Sequence, residues 1–208
     1  MSTPDHYFSA EPASPAELRP LRVRLRGRDV AVQAAPGVFS GDRLDLGTRV
    51  LLDAVDDPPE TGTLVDVGCG WGPITLAMAL ASPGARVFGV DVNHRAVDLT
   101  ARNAAALGLG NVTALDAAAA LAAFRAQGTR IDEIWSNPPI RVGKAALHEL
   151  LTAWLGLLAP TGRAHLVVQK NLGADSLHRW LAEELGADVR RTASSKGFRV
   201  LTVRPGPA

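Results

Sequence analysis

The 208-residue chain contains one cysteine, Cys69, and no long run of apolar residues. A single cysteine excludes an internal disulfide and argues against a cysteine-based metal site, which fits a cytoplasmic protein in a reducing environment. A membrane-spanning helix needs about 20 consecutive apolar residues, and no segment approaches that length. Residues 1–6 lack a basic region followed by an apolar core, so we expect no secretory signal.

An excess of either charge is also missing, because 22 Lys and Arg residues offset 21 Asp and Glu residues and leave a formal net charge of +1. A near-neutral chain lacks the basic balance of a dedicated nucleic-acid binder, so such a role must depend on a local cluster of cations. The 5 histidines are scattered without the spacing of metal ligands. We therefore expect no metal site.

Alternating strand and helix patterns dominate the chain from residue 63 onward. Short apolar stretches alternate with segments whose apolar residues recur at helical spacing. Continuous apolar strands between amphipathic helices predict an α/β fold with a doubly wound, mostly parallel sheet covered on both faces. Strands are predicted at residues 64–67, 86–90, 112–115, 131–135 and 163–169, with a closing strand pair at 187–191 and 198–203.

Helix boundaries are predicted from capping residues, proline and glycine. Thr48 is predicted to cap a short helix, and Pro73 to lie in the first turn of the next one, where its missing N–H costs nothing. A longer helix is predicted to cover residues 147–158 and to be stopped by Pro160 and Gly162.

The first 45 residues are predicted to form an extension to the α/β domain. Residues 1 to about 20 are rich in Pro, Ala, Ser and Glu, which indicates a loosely held arm. At residues 21–32, arginines alternate with apolar residues around a predicted turn at Gly27-Arg28-Asp29, the pattern of a β-hairpin with one basic face. That face is either a solvated surface or an RNA-binding surface. The predicted domains are the arm and hairpin at 1–45 and the α/β domain at 46–208.

A glycine-rich loop, Asp66-Val67-Gly68-Cys69-Gly70-Trp71-Gly72-Pro73, joins the first strand of the predicted sheet to its helix. Glycines let the backbone approach a ligand closely, and the helix N-terminus supplies N–H donors. A nicotinamide-binding Gly-x-Gly-x-x-Gly motif would need a glycine where Pro73 stands, so that fingerprint is absent. The loop predicts either a ligand-binding turn or a tight structural turn. Cys69, at a helix N-terminus, is expected to have a somewhat acidic thiol but no nucleophilic role.

Acidic residues follow the next two predicted strands. Asp91 ends the second strand, where a carboxylate can accept from both hydroxyls of a ribose, and Asp116 ends the third, where it can accept from an adenine amino group. Either acid alone is an ordinary helix cap or loop residue. Together with the glycine loop, at the carboxyl ends of parallel strands, they predict one nucleoside-shaped cleft.

The fourth predicted strand runs into Asn137-Pro138-Pro139-Ile140. Two prolines prevent both helix and continued strand pairing, and Asn137, which precedes a proline, is restricted to an extended conformation. This rigid loop is predicted to present the Asn137 side-chain carbonyl and the Pro138 backbone carbonyl side by side. Two such acceptors suit an amino group whose hydrogens are held while its lone pair points elsewhere, as amine methylation requires.

These motifs, with several shorter ones, carry a resemblance to a known family. The shorter ones are His6-Tyr7-Phe8-Ser9, Gly37-Val38-Phe39-Ser40, Asp45-Leu46-Gly47, Asp91-Val92-Asn93, Arg141-Val142-Gly143-Lys144, Gln169-Lys170 and Lys196-Gly197. Over nearly its whole length the chain resembles the class I S-adenosylmethionine-dependent methyltransferases, and more narrowly the small-subunit ribosomal RNA guanine-N2 methyltransferase family in its single-domain form. Asn-Pro-Pro-Ile followed by Gly-Lys is much more restrictive than the glycine loop, which many methyltransferases share.

The resemblance implies a Rossmann-like methyltransferase domain at 46–208 with a seven-stranded sheet whose last strand is antiparallel. It implies S-adenosyl-L-methionine as the cofactor, with its methionine part beside the glycine loop, its ribose at Asp91 and its adenine at Asp116. The cofactor-binding residues it implies are Asp66, Gly68, Cys69, Gly70, Asp91, Val92, Asp116, Ala117 and Asn137.

The implied reaction is methyl transfer to the exocyclic N2 amine of a guanine in 16S ribosomal RNA, so the expected partner is ribosomal RNA or the small ribosomal subunit. We expect no membrane partner and leave the oligomeric state open. The expected catalytic residues are Asn137, Pro138 and Pro139, and the expected substrate-binding residues are Phe39, Ser40, Ile140, Arg141, Lys144 and Lys196.

Other interpretations stay open beside this one. In amino-methylating enzymes of adenine or glutamine an aromatic residue usually follows Asn-Pro-Pro, so Ile140 disfavours a protein-glutamine or DNA-adenine N-methyltransferase. In the guanine family, stacking on the base would come from Phe39 or Phe198, or be replaced by apolar contact. A non-catalytic cofactor-binding ribosome assembly factor is disfavoured by the intact Asn137-Pro138-Pro139, and a nicotinamide reductase by Pro73.

Overall fold

The computed structural model describes residues 17–206 of the chain. Within them, a two-stranded hairpin precedes a seven-stranded sheet and six helices. The hairpin strands are β1 (Arg19–Leu25) and β2 (Arg28–Ala34), and the sheet strands are β3 (Thr63–Val67), β4 (Arg86–Asp91), β5 (Val112–Asp116), β6 (Ile131–Ser136), β7 (Leu158–Gln169), β8 (Asp188–Ser195) and β9 (Phe198–Arg204). The helices are α1 (Leu46–Ala54), α2 (Pro73–Ala81), α3 (His94–Ala106), α4 (Ala117–Gln127), α5 (Lys144–Leu155) and α6 (Ala174–Glu183).

The sheet has the strand order β5-β4-β3-β6-β7-β9-β8. Strands β3 to β7 pair in parallel, whereas β9 runs antiparallel to both β7 and β8. This confirms the predicted Rossmann-like sheet with a reversed last strand. The strand order reverses at β3, between β4 on one side and β6 on the other, and such a switch point opens a crevice at the carboxyl ends of the strands.

Two apolar layers cover the sheet, one on each face. The first joins α1, α2 and α3 through buried residues such as Leu51, Met78 and Leu99. The second joins α4, α5 and α6, and in it Phe124 makes edge-to-face contact with Trp154, their ring centroids 6.1 Å apart. Because both faces of the sheet are covered, all five residues of β3 are buried.

The hairpin packs into the first layer, since Leu25, Val30 and Val32 are buried in the same apolar cluster as α1 to α3. The turn lies at residues 26 and 27, one residue earlier than predicted. Arg26 and Gly27 both have positive φ, 46° and 83°, which suits the two-residue turn of a hairpin. The predicted domain boundary at residue 45 stays a prediction.

Two predicted element boundaries are wrong. Thr48 does not cap α1: Asp45 does, because its side chain accepts from the Thr48 backbone N–H at 3.0 Å. Helix α5 ends at Leu155, and β7 already begins at Leu158. Pro160 and Gly162 therefore interrupt a strand rather than stop a helix; they lie where the pairing of β6 with β7 is irregular.

Among residues 17–206, no helix combines the length and the apolar character that a membrane span requires.

Candidate active site

A cavity of about 320 Å³ opens at the carboxyl ends of the parallel strands, at the switch point of the sheet. The loops after β3, β4, β5 and β6 supply most of its wall, and the rest comes from residues 38, 39, 45, 96, 150, 169, 172 and 198. The predicted site residues that line it are Phe39, Gly68, Asp91, Val92, Ala117, Asn137, Pro138, Pro139 and Ile140. The sequence motifs that predicted a nucleoside cleft and an amine-binding loop thus meet in one cavity.

Several other predicted site residues do not line this cavity. Asp66, Cys69 and Gly70 lie buried behind it, whereas Lys144 and Lys196 are exposed outside it. The backbone carbonyl of Ser40 accepts from Trp71 Nε1 at 3.1 Å. The side chain of Arg141 lies outside what the structure describes. The ligand contacts expected of these residues stay predictions.

The glycine loop is tied down by hydrogen bonds within the protein. The N–H groups of Gly68 and Cys69 donate to the Val90 carbonyl at 2.8 and 3.0 Å, and the Gly70 N–H donates to Asp91 Oδ2 at 3.0 Å. Gly68 has a φ of 83°, a conformation that L side chains rarely adopt, and a Cβ on Gly68 would meet open space. The loop is therefore a tight turn that also presents bare backbone to the cavity.

Asp91 lines the cavity, and its carboxylate already accepts two hydrogen bonds from backbone N–H groups. Its Oδ1 accepts from the Asn93 N–H and its Oδ2 from the Gly70 N–H, both at 3.0 Å. Burial raises the pKa of this carboxyl, against the effect of those hydrogen bonds. Each oxygen keeps lone pairs for further donors, so the carboxylate is suited to the ribose hydroxyls expected there.

Asp66 is fully buried at the end of β3 and holds the start of α2. Its Oδ2 accepts from Thr75 Oγ1 at 2.6 Å and from the Thr75 N–H at 2.9 Å. In the described part of the chain, Oδ1 is buried without a hydrogen-bond partner. Burial raises the pKa of this carboxyl to about 7. Asp91 lines this end of the cavity and Asp66 lies behind it, an acidic setting that fits the positively charged S-adenosyl-L-methionine.

The surroundings of Asp116 and Cys69 bear on the roles expected of them. The Asp116 side chain accepts from the Ala119 N–H at 2.9 Å and so caps α4. Its expected contact with the adenine stays a prediction. The expected acidic thiol is wrong: Cys69 is buried, and burial raises the pKa of its thiol.

The Asn-Pro-Pro loop turns sharply after β6. The Ile140 N–H donates to the Pro138 carbonyl at 2.8 Å, and Pro139 has φ −74° and ψ 78°, which together form a three-residue γ-turn. Ser136 Oγ donates to the Val67 carbonyl at 2.6 Å and anchors the loop to β3. The Pro138 carbonyl therefore keeps one of its two lone pairs for a ligand.

The side-chain amide of Asn137 is held in one orientation by α1. Its Nδ2 donates to Asp45 Oδ2 at 2.8 Å and to Thr48 Oγ1 at 3.1 Å. A carboxylate can only accept hydrogen bonds, so the amide nitrogen must be the atom that faces Asp45. Because both amide hydrogens are used, the carbonyl Oδ1 is the part of Asn137 left to bind a substrate.

Asp45 and Thr48 are residues of the candidate site that the sequence analysis missed. Asp45 also lines the cavity and caps α1, so the helix start and the Asn137 amide share one carboxylate oxygen. Gly47 makes room for this arrangement: a Cβ on it would lie 3.0 Å from Asp45 Oδ2 and 2.8 Å from the Phe198 ring. The available signal was Asp45-Leu46-Gly47, which the resemblance included without assigning it a role.

Apolar side chains form a large part of the cavity wall. Ile140, Leu150, Leu172 and Phe198 lie there together with Phe39, which is 40% exposed. Both aromatic residues expected to compensate for Ile140 therefore line the same cavity. In the described residues, no group of three or more His, Cys, Asp or Glu side chains is arranged to hold a metal ion.

Comparison with known proteins identifies the family. Residues 29–202 match the family model described as Methyltransferase small domain. The chain is 34% identical over 200 residues to the uncharacterized protein YbxB of Bacillus subtilis, covering 96% of this chain and 98% of that protein. It is 35% identical over 200 residues to ribosomal RNA small subunit methyltransferase C of Pseudomonas paraeruginosa, covering 94% of this chain and 57% of that one.

A solved structure gives the same indication. The chain is similar to the T. thermophilus 16S rRNA N2 G1207 methyltransferase (RsmC) in complex with AdoMet and guanosine, with a TM-score of 0.75 and 26% identity over 91% of this chain and 51% of that one. The chain thus spans about half the length of that enzyme. It belongs to the methyltransferase small domain family, and is an S-adenosylmethionine-dependent methyltransferase related to ribosomal RNA small subunit methyltransferase C.

Proposed function

We propose that this protein transfers a methyl group from S-adenosyl-L-methionine to the exocyclic N2 amine of a guanine in 16S ribosomal RNA. The observation that carries the proposal is the fixed orientation of Asn137, whose amide hydrogens are bound by Asp45 and Thr48. Its Oδ1 is then an acceptor for a substrate N–H. The names of the relatives support guanine in ribosomal RNA as the substrate class.

In the proposed reaction the N2 amine donates to Asn137 Oδ1 and to the remaining lone pair of the Pro138 carbonyl. These two bonds hold the amine so that its own lone pair points along the cavity, and they weaken its delocalisation into the ring. Fixing two reactants in line lowers the barrier by up to about 7–11 kcal/mol. Acceptors that face the positive charge developing on nitrogen add a further stabilisation of the transition state.

The atoms balance without a strong base. S-adenosyl-L-methionine supplies an electrophilic methyl group when it is bound. The bond from N2 to the methyl carbon forms as the carbon–sulfur bond breaks, and the sulfur keeps that electron pair. The alkylated nitrogen is then acidic and releases one proton to water. Asn137 and Pro138 act by positioning neutral oxygens, so neither has to ionise.

An arginine-lined groove beside the cavity supports an RNA substrate. Arg22, Arg24, Arg43 and Arg49 line it, and Arg43 is two residues from the cavity residue Asp45. None of these four guanidinium groups makes an ion pair or hydrogen bond with another residue of the described range. We infer that these cations, in a groove that is also lined by Asp53, bind backbone phosphates of the RNA that carries the target base. Such contacts would offset the few kcal/mol needed to unstack that base.

Incubation of the purified protein with labelled cofactor tests the proposal. The acceptors are deproteinised 16S ribosomal RNA, assembled small subunits, DNA containing adenine, and a protein extract. We expect label in ribosomal RNA, and mass mapping should place one added methyl group on N2 of a guanine. Label in DNA adenine or in protein glutamine would favour the alternative substrates, and no transfer to any acceptor would favour a non-catalytic assembly factor. With ribosomal RNA as the substrate, we expect the protein to act in the cytoplasm.

A further inference from the structure

The two carboxylate oxygens of Asp45 have different surroundings. Oδ2 accepts from the Thr48 N–H at 3.0 Å and from Asn137 Nδ2 at 2.8 Å. No group within residues 17–206 donates to Oδ1, although Asp45 lines the cavity. Capping α1 and holding the Asn137 amide both use Oδ2. Oδ1 is therefore a hydrogen-bond acceptor without an assigned function.

This acceptor lies next to the proposed amine-binding group. Asp45 and Asn137 are joined by a direct hydrogen bond, and the Asn137 oxygen is the acceptor proposed for the substrate amine. A planar base that puts its amine on Asn137 and turns its Watson–Crick edge toward α1 presents the neighbouring atom of that edge to Asp45. The atom beside the amine decides whether a carboxylate attracts or repels the base.

The bases differ at that atom. On the Watson–Crick edge, guanine carries the donor N1–H beside its N2 amine, whereas its acceptor N3 lies on the other side of the amine. Beside their exocyclic amines, adenine carries N1 and cytosine carries N3, and both of these nitrogens are acceptors. A carboxylate oxygen binds the first and repels the other two. Among the common bases with an exocyclic amine, guanine alone matches an amine acceptor next to a carboxylate.

We propose that Asp45 selects guanine, with Oδ1 accepting the N1–H while Oδ2 holds the Asn137 amide that binds the N2 amine. The inference rests on the proposed function and adds the residue that reads the base. It gives one carboxylate two tasks, positioning Asn137 and recognising the Watson–Crick edge. No group needs to change its protonation state for either task.

The replacement Asp45→Asn separates the two tasks. The amide oxygen of an asparagine can still accept from the Thr48 N–H and from Asn137 Nδ2, so both hydrogen bonds are retained. The amide nitrogen then takes the place of Oδ1 and turns an acceptor into a donor. This donor repels the N1–H of guanine and matches a base with an unprotonated N1. The purine 2-aminopurine is such a base, because it keeps the C2 amine and lacks the N1–H.

The experiment compares two RNA substrates that differ only at the target base. After the methylated guanine has been mapped, a fragment of ribosomal RNA is prepared with either guanine or 2-aminopurine at that position, and kcat/KM is measured for methyl transfer to each. We expect the wild-type protein to prefer guanine by about 100-fold or more, because an acceptor that the bound base covers and leaves unmatched is costly. The Asp45→Asn protein should lose this preference or reverse it. The O6 atom that 2-aminopurine lacks is missing for both proteins, so it does not affect the comparison.

Thr48→Val is the matched control, because it removes one of the two hydrogen bonds that hold the Asn137 amide without changing the group that faces N1. It should lower kcat/KM for both RNAs by the same factor. Should Asp45→Asn turn over neither RNA, the preference is measured as the ratio of their Kd values with S-adenosylhomocysteine bound. If Asp45→Asn keeps the wild-type preference by either measure, Asp45 only positions Asn137 and the inference is wrong. If the wild-type protein methylates no guanine at all, the proposed function itself fails.

Discussion

Asn137 Nδ2 donates to Asp45 Oδ2 at 2.8 Å. This hydrogen bond joins the loop after β6 to the N-cap residue of α1, which lies 92 positions earlier in the sequence. This bond and the one to Thr48 Oγ1 fix the side-chain amide by its nitrogen. The oxygen of the amide is thereby assigned to the substrate. The proposed reaction depends on that assignment.

The side-chain carbonyl of Asn137 is expected to control the rate of methyl transfer. Asn137→Ala removes the side-chain acceptor for the amine, and we expect kcat to fall by about 100-fold or more. Affinity for the cofactor, measured by calorimetry, should change little, because Asn137 is one of nine implied cofactor-binding residues and the glycine loop and Asp91 are untouched. A variant that retains both normal turnover and normal cofactor binding would contradict the assigned role of Asn137.

The arginine groove predicts a salt-dependent affinity for RNA. The double replacement Arg43→Gln with Arg49→Gln removes two exposed cations beside the cavity, so the Kd for ribosomal RNA should rise. The slope of log K against log salt concentration should become shallower by about one for each phosphate that is no longer neutralised. The matched control replaces Arg125 and Arg179, two exposed arginines on α4 and α6, by Gln. Equal effects of the two double variants would mean that the groove has no special part in RNA binding.

Arg26 of the hairpin differs from the groove arginines that we propose to bind RNA, because its guanidinium group is used within the protein. Arg26 Nη1 donates to the carbonyls of Leu52 and Val55 at 2.7 and 2.9 Å, and its Nη2 donates to Asp57. Arg26→Met keeps the apolar stem and leaves these carbonyls at the end of α1 without a donor. We expect the free energy of unfolding to fall by about 1.5–3 kcal/mol in denaturant titrations.

The neighbouring exposed residue provides the comparison, since the structure shows no side-chain partner for Arg24 in residues 17–206. Arg24→Met should change the free energy of unfolding by less than about 0.5 kcal/mol. A loss for Arg26→Met no larger than that for Arg24→Met would show that these hydrogen bonds contribute nothing to stability.

The buried Asp66 predicts how stability depends on pH in the ligand-free protein. Burial raises the pKa of this carboxyl from 3.8 to about 7 in the folded state. Between about pH 4 and pH 7 the unfolded chain releases this proton while the folded chain keeps it, so the free energy of unfolding falls as the pH rises through that window. The loss from this group is on the order of 4 kcal/mol at pH 8 relative to pH 4.

Unfolding titrations at several pH values test this expectation. Asp66→Asn should flatten the decline in stability between pH 4 and pH 7, whatever its effect at any one pH. Asp116→Asn, which replaces one helix-capping residue by another, should leave the decline in place. An unchanged slope in the Asp66→Asn protein would show that this carboxyl ionises normally in the folded state.

Local patterns in the sequence were sufficient for most of the fold and for the place of the site. Pro73 marks a helix start that the structure retains. The glycine loop, Asp91 and the Asn-Pro-Pro loop meet because the carboxyl ends of parallel strands share one edge of the sheet. The position of these motifs at the ends of predicted strands was enough to predict that they lie close together.

Contacts made between distant elements could not be predicted in this way. Asp45 and Thr48 are three residues apart and both are good capping residues, so the sequence did not decide which one begins α1. Only the fold brings this helix start to Asn137. The start of β7 at Leu158 depends in the same way on pairing with Ile131 of β6, which overrides the nearby proline and glycine.

A crystal structure with S-adenosylhomocysteine and an RNA fragment that contains the mapped guanine tests the role of Asn137 most directly. We expect the guanine N2 to lie within about 3.2 Å of Asn137 Oδ1, with the Asn137 amide nitrogen still bound to Asp45 and Thr48. A guanine N2 beyond hydrogen-bond distance, or an Asn137 oxygen turned away from the base, would contradict it.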